Sequence, residues 1–218
     1  MKRTLLAACI LAGSIGGAVG DPIIPNSGFE LGNTGFTSGY GYQTDLVPEG
    51  FYFVGGDSLS HNSNWTQNVS AHSGNNYMIV NGDPNAGVVV YDSSGISVLA
   101  DTQYYFSAFA TSLYPDSPAT LQFSINGLAI NAPLTISPDV GVWQQIFVPW
   151  FSGSSTTADI SLLNENTART GNDFGLDDIS LSTTSPTSVP EPLTLSLFGA
   201  GFVGAAALRR RRRKQISA

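Results

Sequence analysis

The strongest constraint on the fold is a stretch of strict alternation in the middle of the chain. In ATLQFSING, apolar and polar residues alternate, the apolar ones being Ala119, Leu121, Phe123 and Ile125. Because successive side chains of a β-strand point to opposite faces, this pattern predicts a strand with one buried face. Asn126-Gly127 and a second apolar run follow at once, which predicts a tight β-hairpin.

Short runs rich in β-branched and aromatic residues recur along the chain, with Gly, Asn, Asp or Pro between them. These runs are centred near Met78, Val89, Phe106, Ile146, Ile160 and Ile179. No stretch between the two ends of the chain keeps a helical period for three turns. The sequence therefore predicts an all-β fold, an antiparallel β-sandwich over residues 21–181.

Basic residues are almost absent from this predicted domain. Between Asp21 and Thr183 there are fifteen carboxylates, a single arginine at position 169 and no lysine. Such a surface repels phosphate, so we expect no nucleic-acid binding. It suits divalent cations, neutral glycans or cationic partners, and the alternative is that the acidic surface serves only solubility.

The N-terminus has the features of a secretory signal peptide. Two basic residues precede an apolar stretch, and the small residues Ala18 and Gly20 predict cleavage after position 20. We therefore exclude residues 1–20 from the fold. LAAC, ending at Cys9, is an alternative lipoprotein-like cleavage box, but its apolar run is short and continues past the cysteine. Because Cys9 is the only cysteine, the mature domain has no disulfide.

The C-terminus has an apolar segment followed by a basic cluster. A helix over the uncharged residues 193–208 would be ~24 Å long, less than the ~30 Å of a bilayer core, so it needs snorkelling arginines to span. The basic tail, residues 209–218, would stay cytoplasmic, which places the domain outside the inner membrane. Residues 182–192 are polar and proline-spaced, and predict a linker.

The order of these C-terminal elements closely resembles the PEP-CTERM sorting signal of Gram-negative bacteria. The matching residues are Pro190, Glu191 and Pro192, the apolar segment, and the arginines that begin with Arg209, Arg210 and Arg211. The resemblance implies processing by an exosortase after a transient stay in the inner membrane. It also implies a final location in the envelope or extracellular matrix of a bacterium that makes exopolysaccharide and biofilm. The alternative is a tail anchor that is never cut.

The predicted domain resembles a second family, the galactose-binding-like jelly rolls, and among them the CenC-type carbohydrate-binding modules. Four short motifs occur in that family's order: NSGFELG, HSGNNYMIVNG, QYYFSAFA and GNDFGLDDISL. The resemblance implies a jelly roll in which a structural calcium ion ties the first strand to the last, with Glu30 and Asp177 as carboxylate ligands.

The residues themselves agree with this calcium site only in part. Ile179 and Leu181 share the strand parity of Asp177, which would then point into the core, where a carboxylate needs a cation. Phe174 and Leu176 favour the opposite parity and imply a bulge near Leu176, which would make Asp178 the ligand. The alternative to calcium is an exposed carboxylate, or one paired with the lone arginine.

A sugar site needs aromatic rings that face solvent among hydrogen-bonding side chains. Four aromatic residues have polar or glycine-rich neighbours and are predicted to form such a platform: Tyr40, Tyr42, Trp65 and Tyr91. Trp143 and Trp150 lie in an apolar run and are predicted to be core residues. For each of the four platform candidates, a core position is the alternative.

No catalytic motif is present. The sequence lacks G-x-S-x-G, H-E-x-x-H and a Cys-His pair, and nothing in their surroundings marks Glu49 and Glu165 as a glycosidase pair. We therefore expect a non-catalytic carbohydrate-binding module that is not an enzyme. The alternative is a structural or adhesive matrix protein without a defined sugar site.

Overall fold

The computed structural model describes residues 20–186, which form eleven strands and no helix. The strands are β1 (Gly41–Tyr42), β2 (Phe51–Gly55), β3 (Tyr77–Asn81), β4 (Val88–Ser97), β5 (Gln103–Ser112), β6 (Thr120–Ile125), β7 (Leu128–Ala129), β8 (Leu134–Thr135), β9 (Gln144–Phe151), β10 (Thr157–Asn164) and β11 (Phe174–Ser182). The predicted signal peptide before Gly20, most of the linker, the apolar segment and the basic tail lie outside the described residues. In the described part of the chain, no helix is long and apolar enough to cross a membrane.

The strands form two sheets. One has six strands in the order β1-β2-β3-β11-β5-β9, and the other has the order β4-β10-β6-β7, with β8 also paired to β6. All strand pairs are antiparallel except β1 with β2. The predicted all-β, antiparallel character is confirmed.

The inner faces of both sheets contribute to one hydrophobic core, so the two sheets are packed face to face as a sandwich. Phe106 of β5 and Phe123 of β6 are both fully buried, and their rings meet edge to face with centroids 4.7 Å apart. Such aromatic pairs add to the free energy gained by burying their area. Residues 20–186 contain both sheets and the core between them, as an independently folding domain does.

A second, smaller core lies on the outer face of the six-stranded sheet. Residues 56–76, between β2 and β3, pass over this face; we call them the covering segment. Trp65 and Val69 of the covering segment pack on Tyr77 and Ile79 of β3. The Tyr77 hydroxyl donates to the Val69 carbonyl at 2.7 Å. The six-stranded sheet is therefore buried on both faces at its β2–β3 end.

Each apolar run predicted from the sequence lies in a strand. The alternating residues of β6 are buried from Leu121 to Ile125 at every second position, and the hairpin to β7 turns at Asn126 and Gly127. Both turn residues have positive φ, 53° and 74°, as the favoured two-residue turn requires. The sequence reasoning missed β2, because its aromatic residues Phe51, Tyr52 and Phe53 face both cores and show no alternation.

Both strand parities that the sequence indicates for β11 occur, one on each side of a bulge. The pairing of β11 with β5 shifts register between Asp177 and Ser180, and Asp178 has φ of +46°. The bulge therefore lies at Asp178 rather than near Leu176. Leu176 and Ile179 both face the inter-sheet core, while Asp177 pairs with Phe109 on the outer face.

The edge-to-face contact between Phe106 and Phe123 leads us to expect a large effect of either ring on stability. Phe106→Ala should lower the free energy of unfolding by about 3–5 kcal/mol, because it leaves a cavity between the sheets. Urea denaturation of residues 21–186 measures this. Phe151→Ala is the control, since that ring is 59% exposed, and an equal loss in both variants would contradict the prediction.

Candidate functional site

Beyond the covering segment, the outer face of the six-stranded sheet is accessible to solvent along β11, β5 and β9. Along these strands the residues alternate between the inter-sheet core and this outer face. In β5, Phe106 and Ala108 pack inward while Tyr105 lies on the opposite face, and in β9 Val148 packs inward while Phe147 lies outward. We call this region the open sheet face; its accessible residues are Gln103, Tyr105, Gln145, Phe147, Ser180 and Ser182, and Ser107 between them is buried.

Strand register arranges the open sheet face in rows. Ser180 of β11 is opposite Ser107 of β5, which is opposite Phe147 of β9. The next row contains Ser182, Tyr105 and Pro149. Rows on one face lie about 6.6 Å apart, which is two residues of strand rise, so the rings and hydroxyls occupy fixed positions on a rigid sheet.

The polar and aromatic side chains of this face contact one another. The Ser107 and Ser180 hydroxyls are 2.8 Å apart, and the Gln145 amide donates to Ser107 Oγ at 3.5 Å. The Tyr105 and Phe147 rings are half-buried, with centroids 6.5 Å apart and planes at 62°. Apolar rings beside hydroxyl and amide groups form a surface suited to the two sides of a sugar, its C–H faces and its hydroxyls.

One end of the open sheet face is closed by His72. Its imidazole stacks on the Phe109 ring with centroids 3.6 Å apart and planes at 15°. Its Nδ1 lies 2.6 Å from an oxygen of Asp178, whose other oxygen accepts from the Ser73 hydroxyl at 2.8 Å. Asp178, at the bulge of β11, therefore holds the edge of the covering segment in place through His72 and Ser73.

Asp177 is fully buried under the same part of the covering segment. Its Oδ2 accepts from the backbone N–H groups of His72 and Ser73 at 3.0 and 3.2 Å, and its Oδ1 from that of Asp178 at 2.8 Å. Burial raises the pKa of Asp177 to about 6, and the neighbouring Asp178 charge acts in the same direction. The hydrogen bonds partly offset these two effects.

Glu30 holds Asn75 and Asn76, the residues of the covering segment that follow His72 and Ser73. Its Oε1 accepts from the backbone N–H groups of Asn75 and Asn76 at 2.8 and 2.7 Å, and these bonds lower its pKa. Gly74 has φ of +63°, and a Cβ there would collide with the Glu30 carboxylate. The three predicted metal ligands Glu30, Asp177 and Asp178 therefore all contact residues 72–76.

These carboxylates match calcium in ligand type and fall short in ligand number. Calcium takes six to eight oxygen ligands, and oxygens of all three carboxylates already accept hydrogen bonds. Within residues 20–186, no three His, Cys, Asp or Glu side chains are grouped so that they could hold a metal ion. The alternative of an arginine pair is wrong, since Arg169 binds Glu49 at 2.8 Å. The calcium site stays a prediction.

Three of the four predicted platform residues are wrong, because their side chains lie in the two cores. Tyr40, Trp65 and Tyr91 are 5%, 3% and 0% exposed. Their polar neighbours in the sequence are not their neighbours in space: the Tyr91 ring packs on Phe29 and Phe36.

Tyr42 is the one platform candidate that is exposed, at 47%, and it lies at the other end of the sheet, stacked on Phe53. The structure does not bring the four residues together on one surface. Trp143 and Trp150 pack against the smaller and the larger core, as predicted, with part of each ring accessible.

Sequence reasoning missed Tyr105 and Phe147. A signal for them was present in the alternation of QYYFSAFATS and VWQQIFVPWF, where every second residue must leave the core. Aromatic residues occur at both odd and even positions of these runs, so the sequence alone does not show which of them face solvent.

Asp173, directly before β11, is the other buried carboxylate with a raised pKa. The Trp65 indole N–H donates to its Oδ2 at 2.9 Å, while its Oδ1 has no hydrogen-bond partner in the described residues. Burial raises its pKa to about 6. The Trp65 bond and the nearby Gly82 amide act in the opposite direction, although that amide makes no well-formed bond to Oδ1.

The C-terminal region matches a known family. Residues 188–213 match the PEP-CTERM protein-sorting motif. The chain carries a PEP-CTERM sorting signal. This confirms the sequence prediction for Pro190 to Pro192 and for the arginines from 209 onward, and it indicates export, processing by an exosortase and sorting to the cell surface. No curated protein matches the chain in sequence.

Solved structures similar to the domain include an enzyme and sugar-binding proteins. A cyclase from Fischerella sp. TAU, in complex with 4-(1H-indol-3-yl)butan-2-one, is 12% identical; the match covers 75% of this chain and 97% of the cyclase with a TM-score of 0.56. The CBM22-1-CBM22-2 tandem domain of Paenibacillus barcinonensis Xyn10C is 17% identical, with coverage of 76% and 47% and a TM-score of 0.49. The EclA C-terminal domain, a sugar-binding protein, is 17% identical, with coverage of 45% and 69% and a TM-score of 0.40. The cyclase shares the fold, and nothing about a ligand follows from these three.

The raised pKa of Asp173 predicts a pH-dependent stability. A carboxyl whose pKa rises from 3.8 to about 6 on folding contributes stability below pH 4 that is lost as the pH rises through 6. Asp173→Asn should therefore raise the free energy of unfolding by about 2–3 kcal/mol at pH 7.5 and leave it nearly unchanged at pH 4.

Urea denaturation of residues 21–186 at the two pH values tests this prediction. Asp116→Asn is the matched control, because Asp116 is exposed. A gain at pH 7.5 that persists unchanged at pH 4 would show that the charge of Asp173 is not its cause.

Proposed function

We propose that this chain is an exosortase-processed envelope protein whose domain is a non-catalytic carbohydrate-binding module. The domain is a jelly roll of the galactose-binding-like type and binds exopolysaccharide in the biofilm matrix of a Gram-negative bacterium. The sorting motif at residues 188–213 supports the delivery of the domain to the cell surface.

The open sheet face is the observation that carries this proposal. Tyr105 and Phe147 present rings beside the Ser180 hydroxyl, which is hydrogen-bonded to the buried Ser107, and all of these residues lie on paired strands. A site on paired strands loses little conformational entropy when a ligand binds, which favours affinity. Gln103 and Gln145 at its border are exposed amides that donate and accept hydrogen bonds.

The charge of the domain limits which polysaccharides can bind it. Fifteen carboxylates and one arginine between Asp21 and Thr183 repel uronic acids and sulfated sugars. The open sheet face itself carries neutral side chains, with the His72–Asp178 pair at its end. A neutral polysaccharide therefore fits this surface better than a polyanion.

A second candidate function is a structural or adhesive matrix protein without a defined sugar site. The burial of Tyr40, Trp65 and Tyr91 favours it, since it removes three of the four rings expected to bind sugar. The two functions differ in whether saturable glycan binding depends on the open sheet face.

Binding to the open sheet face can be measured directly. Calorimetric titration of residues 21–186 with the producing bacterium's own exopolysaccharide should give saturable heat. Tyr105→Ala and Phe147→Ala should each weaken binding at least about tenfold, because each ring is a stacking surface at the centre of the site. Tyr42→Ala, which removes an exposed ring at the other end of the sheet, should leave affinity unchanged.

Each other result has a definite meaning. No heat with any glycan fraction would contradict the module and favour the matrix protein. Loss of binding in Tyr42→Ala alone would move the site to the residue predicted from the sequence.

We also propose that calcium binds Glu30, Asp177 and Asp178 and stabilises the contact of residues 72–76 with β11. The support is the buried Asp177 next to a second carboxylate, and the backbone bond from Ile179 to Ser27, which joins the Glu30 loop to β11. At one hundred times its dissociation constant, calcium should add about 2.7 kcal/mol and raise the melting temperature by about 5–10 °C.

Differential scanning calorimetry with calcium and then with excess chelator tests this site. Asp178→Asn should abolish the calcium-dependent increment, and Asp116→Asn should keep it. An unchanged melting temperature on adding chelator to a calcium-loaded sample would remove the calcium proposal.

A further inference from the structure

The two ends of the open sheet face differ, because the covering segment lies across one of them. The backbone N–H of His72 donates to the outward-pointing carboxylate of Asp177, so the chain at His72 runs above the plane of the sheet, at the level of its side chains. The His72 ring stacks on the Phe109 ring of β5 with centroids 3.6 Å apart. Covering-segment atoms therefore occupy the space directly beside the face at this end.

Trp143, directly before β9, extends this obstruction to the edge strand. Its indole N–H donates to the Ser70 carbonyl at 3.0 Å, and its ring meets the His72 ring edge to face with centroids 5.9 Å apart. The two rings thus stand side by side at the ends of β5 and β9 that the covering segment reaches. We call His72 and Trp143 the barrier.

The opposite end of the face is open to solvent. Gln103 and Phe151 form the last paired row of β5 and β9, and both are exposed, Phe151 to 59%. Phe151 has the strand parity of Phe147, so its ring lies on the same face. The open sheet face therefore continues by one more aromatic residue and ends without an obstruction.

The rings of the face are arranged along the strands and not across them. Phe147 and Phe151 lie on β9 about 13 Å apart, and Tyr105 of β5 lies in the row between them. The residues of β11 on this face, Ser180 and Ser182, have no rings. A polysaccharide chain whose sugars stack on these rings therefore runs parallel to β9, with the barrier at one end of its path and Phe151 at the other.

We propose that the open sheet face binds the end of a polysaccharide chain, with the terminal sugar against His72 and Trp143 and the chain leaving past Phe151. The exposed amide of Gln145 lies between the barrier and Phe147, where it can donate to and accept from the hydroxyls of the terminal sugar. This inference rests on the proposed carbohydrate-binding function, and it adds which part of the polysaccharide is bound.

Counting binding sites against chain ends tests the proposal. Each glycosidic bond that partial acid hydrolysis cuts creates one new chain end of each kind. We would titrate residues 21–186 by calorimetry with the producing bacterium's exopolysaccharide, uncut and cut to several extents, and count the new ends with a reducing-sugar assay. The number of binding sites per gram of polysaccharide should rise by one for every bond cut.

A constant number of sites per gram in all samples would show that the middle of the chain is bound. The inference would then be wrong while the proposed function stands. No heat with any sample would overturn both.

Phe151→Ala tests the direction in which the chain leaves. It should weaken binding of the cut chains at least about threefold and leave the number of sites per chain end unchanged, because Phe151 lies at the exit and not at the barrier. Tyr42→Ala is the matched control, since it removes another exposed ring of the same sheet. Unchanged affinity in Phe151→Ala would contradict the proposed path of the chain.

Discussion

The hydrogen bonds that Asp177 accepts from the backbone of His72 and Ser73 determine how much of the six-stranded sheet is open to solvent. They hold the end of the covering segment against β11, and Glu30 holds the next residues from the other side. The covering segment therefore buries β2 and β3, and its His72 stacks on Phe109 of β5 at the border of the open sheet face. Beyond that ring the same sheet presents Tyr105 and Phe147 to solvent, so one buried carboxylate separates a second core from a candidate binding surface.

The parts of this structure that could be predicted from the sequence are those fixed by near neighbours. The β6–β7 hairpin follows from alternation and from an Asn-Gly pair in which both residues adopt positive φ. The bulge at Asp178 could not be placed, since Phe174 with Leu176 and Ile179 with Leu181 indicate opposite parities and both pairs reach the same core. A register shift between them satisfies both, and only the pairing with β5 determines its position.

The binding surface was harder to predict than the fold, because this sheet has apolar residues on both faces. Tyr91 has polar neighbours in the sequence, but its side chain is fully buried. Phe29 and Phe36 pack on it from a loop about sixty positions earlier in the chain. Tyr105 and Phe147 lie in apolar runs of the sequence, which are typical of core strands. Their exposure to solvent depends on where the covering segment ends. That end is set by contacts of Glu30, Asp177 and Asp178 with residues about forty-five and a hundred positions away, which the local pattern does not contain.

The two buried carboxylates differ in how many of their oxygens the fold provides with hydrogen-bond donors. Asp177 accepts three backbone hydrogen bonds, which offset part of the cost of burying its negative charge. Asp173 gives the fold one acceptor for Trp65, and an asparagine would supply that acceptor without the cost of burying a charge. Stability alone therefore does not account for a carboxylate at position 173. Its Oδ1 has no hydrogen-bond partner in the described residues, whereas both oxygens of Asp177 accept hydrogen bonds, so less of the cost of burying the charge is offset at Asp173.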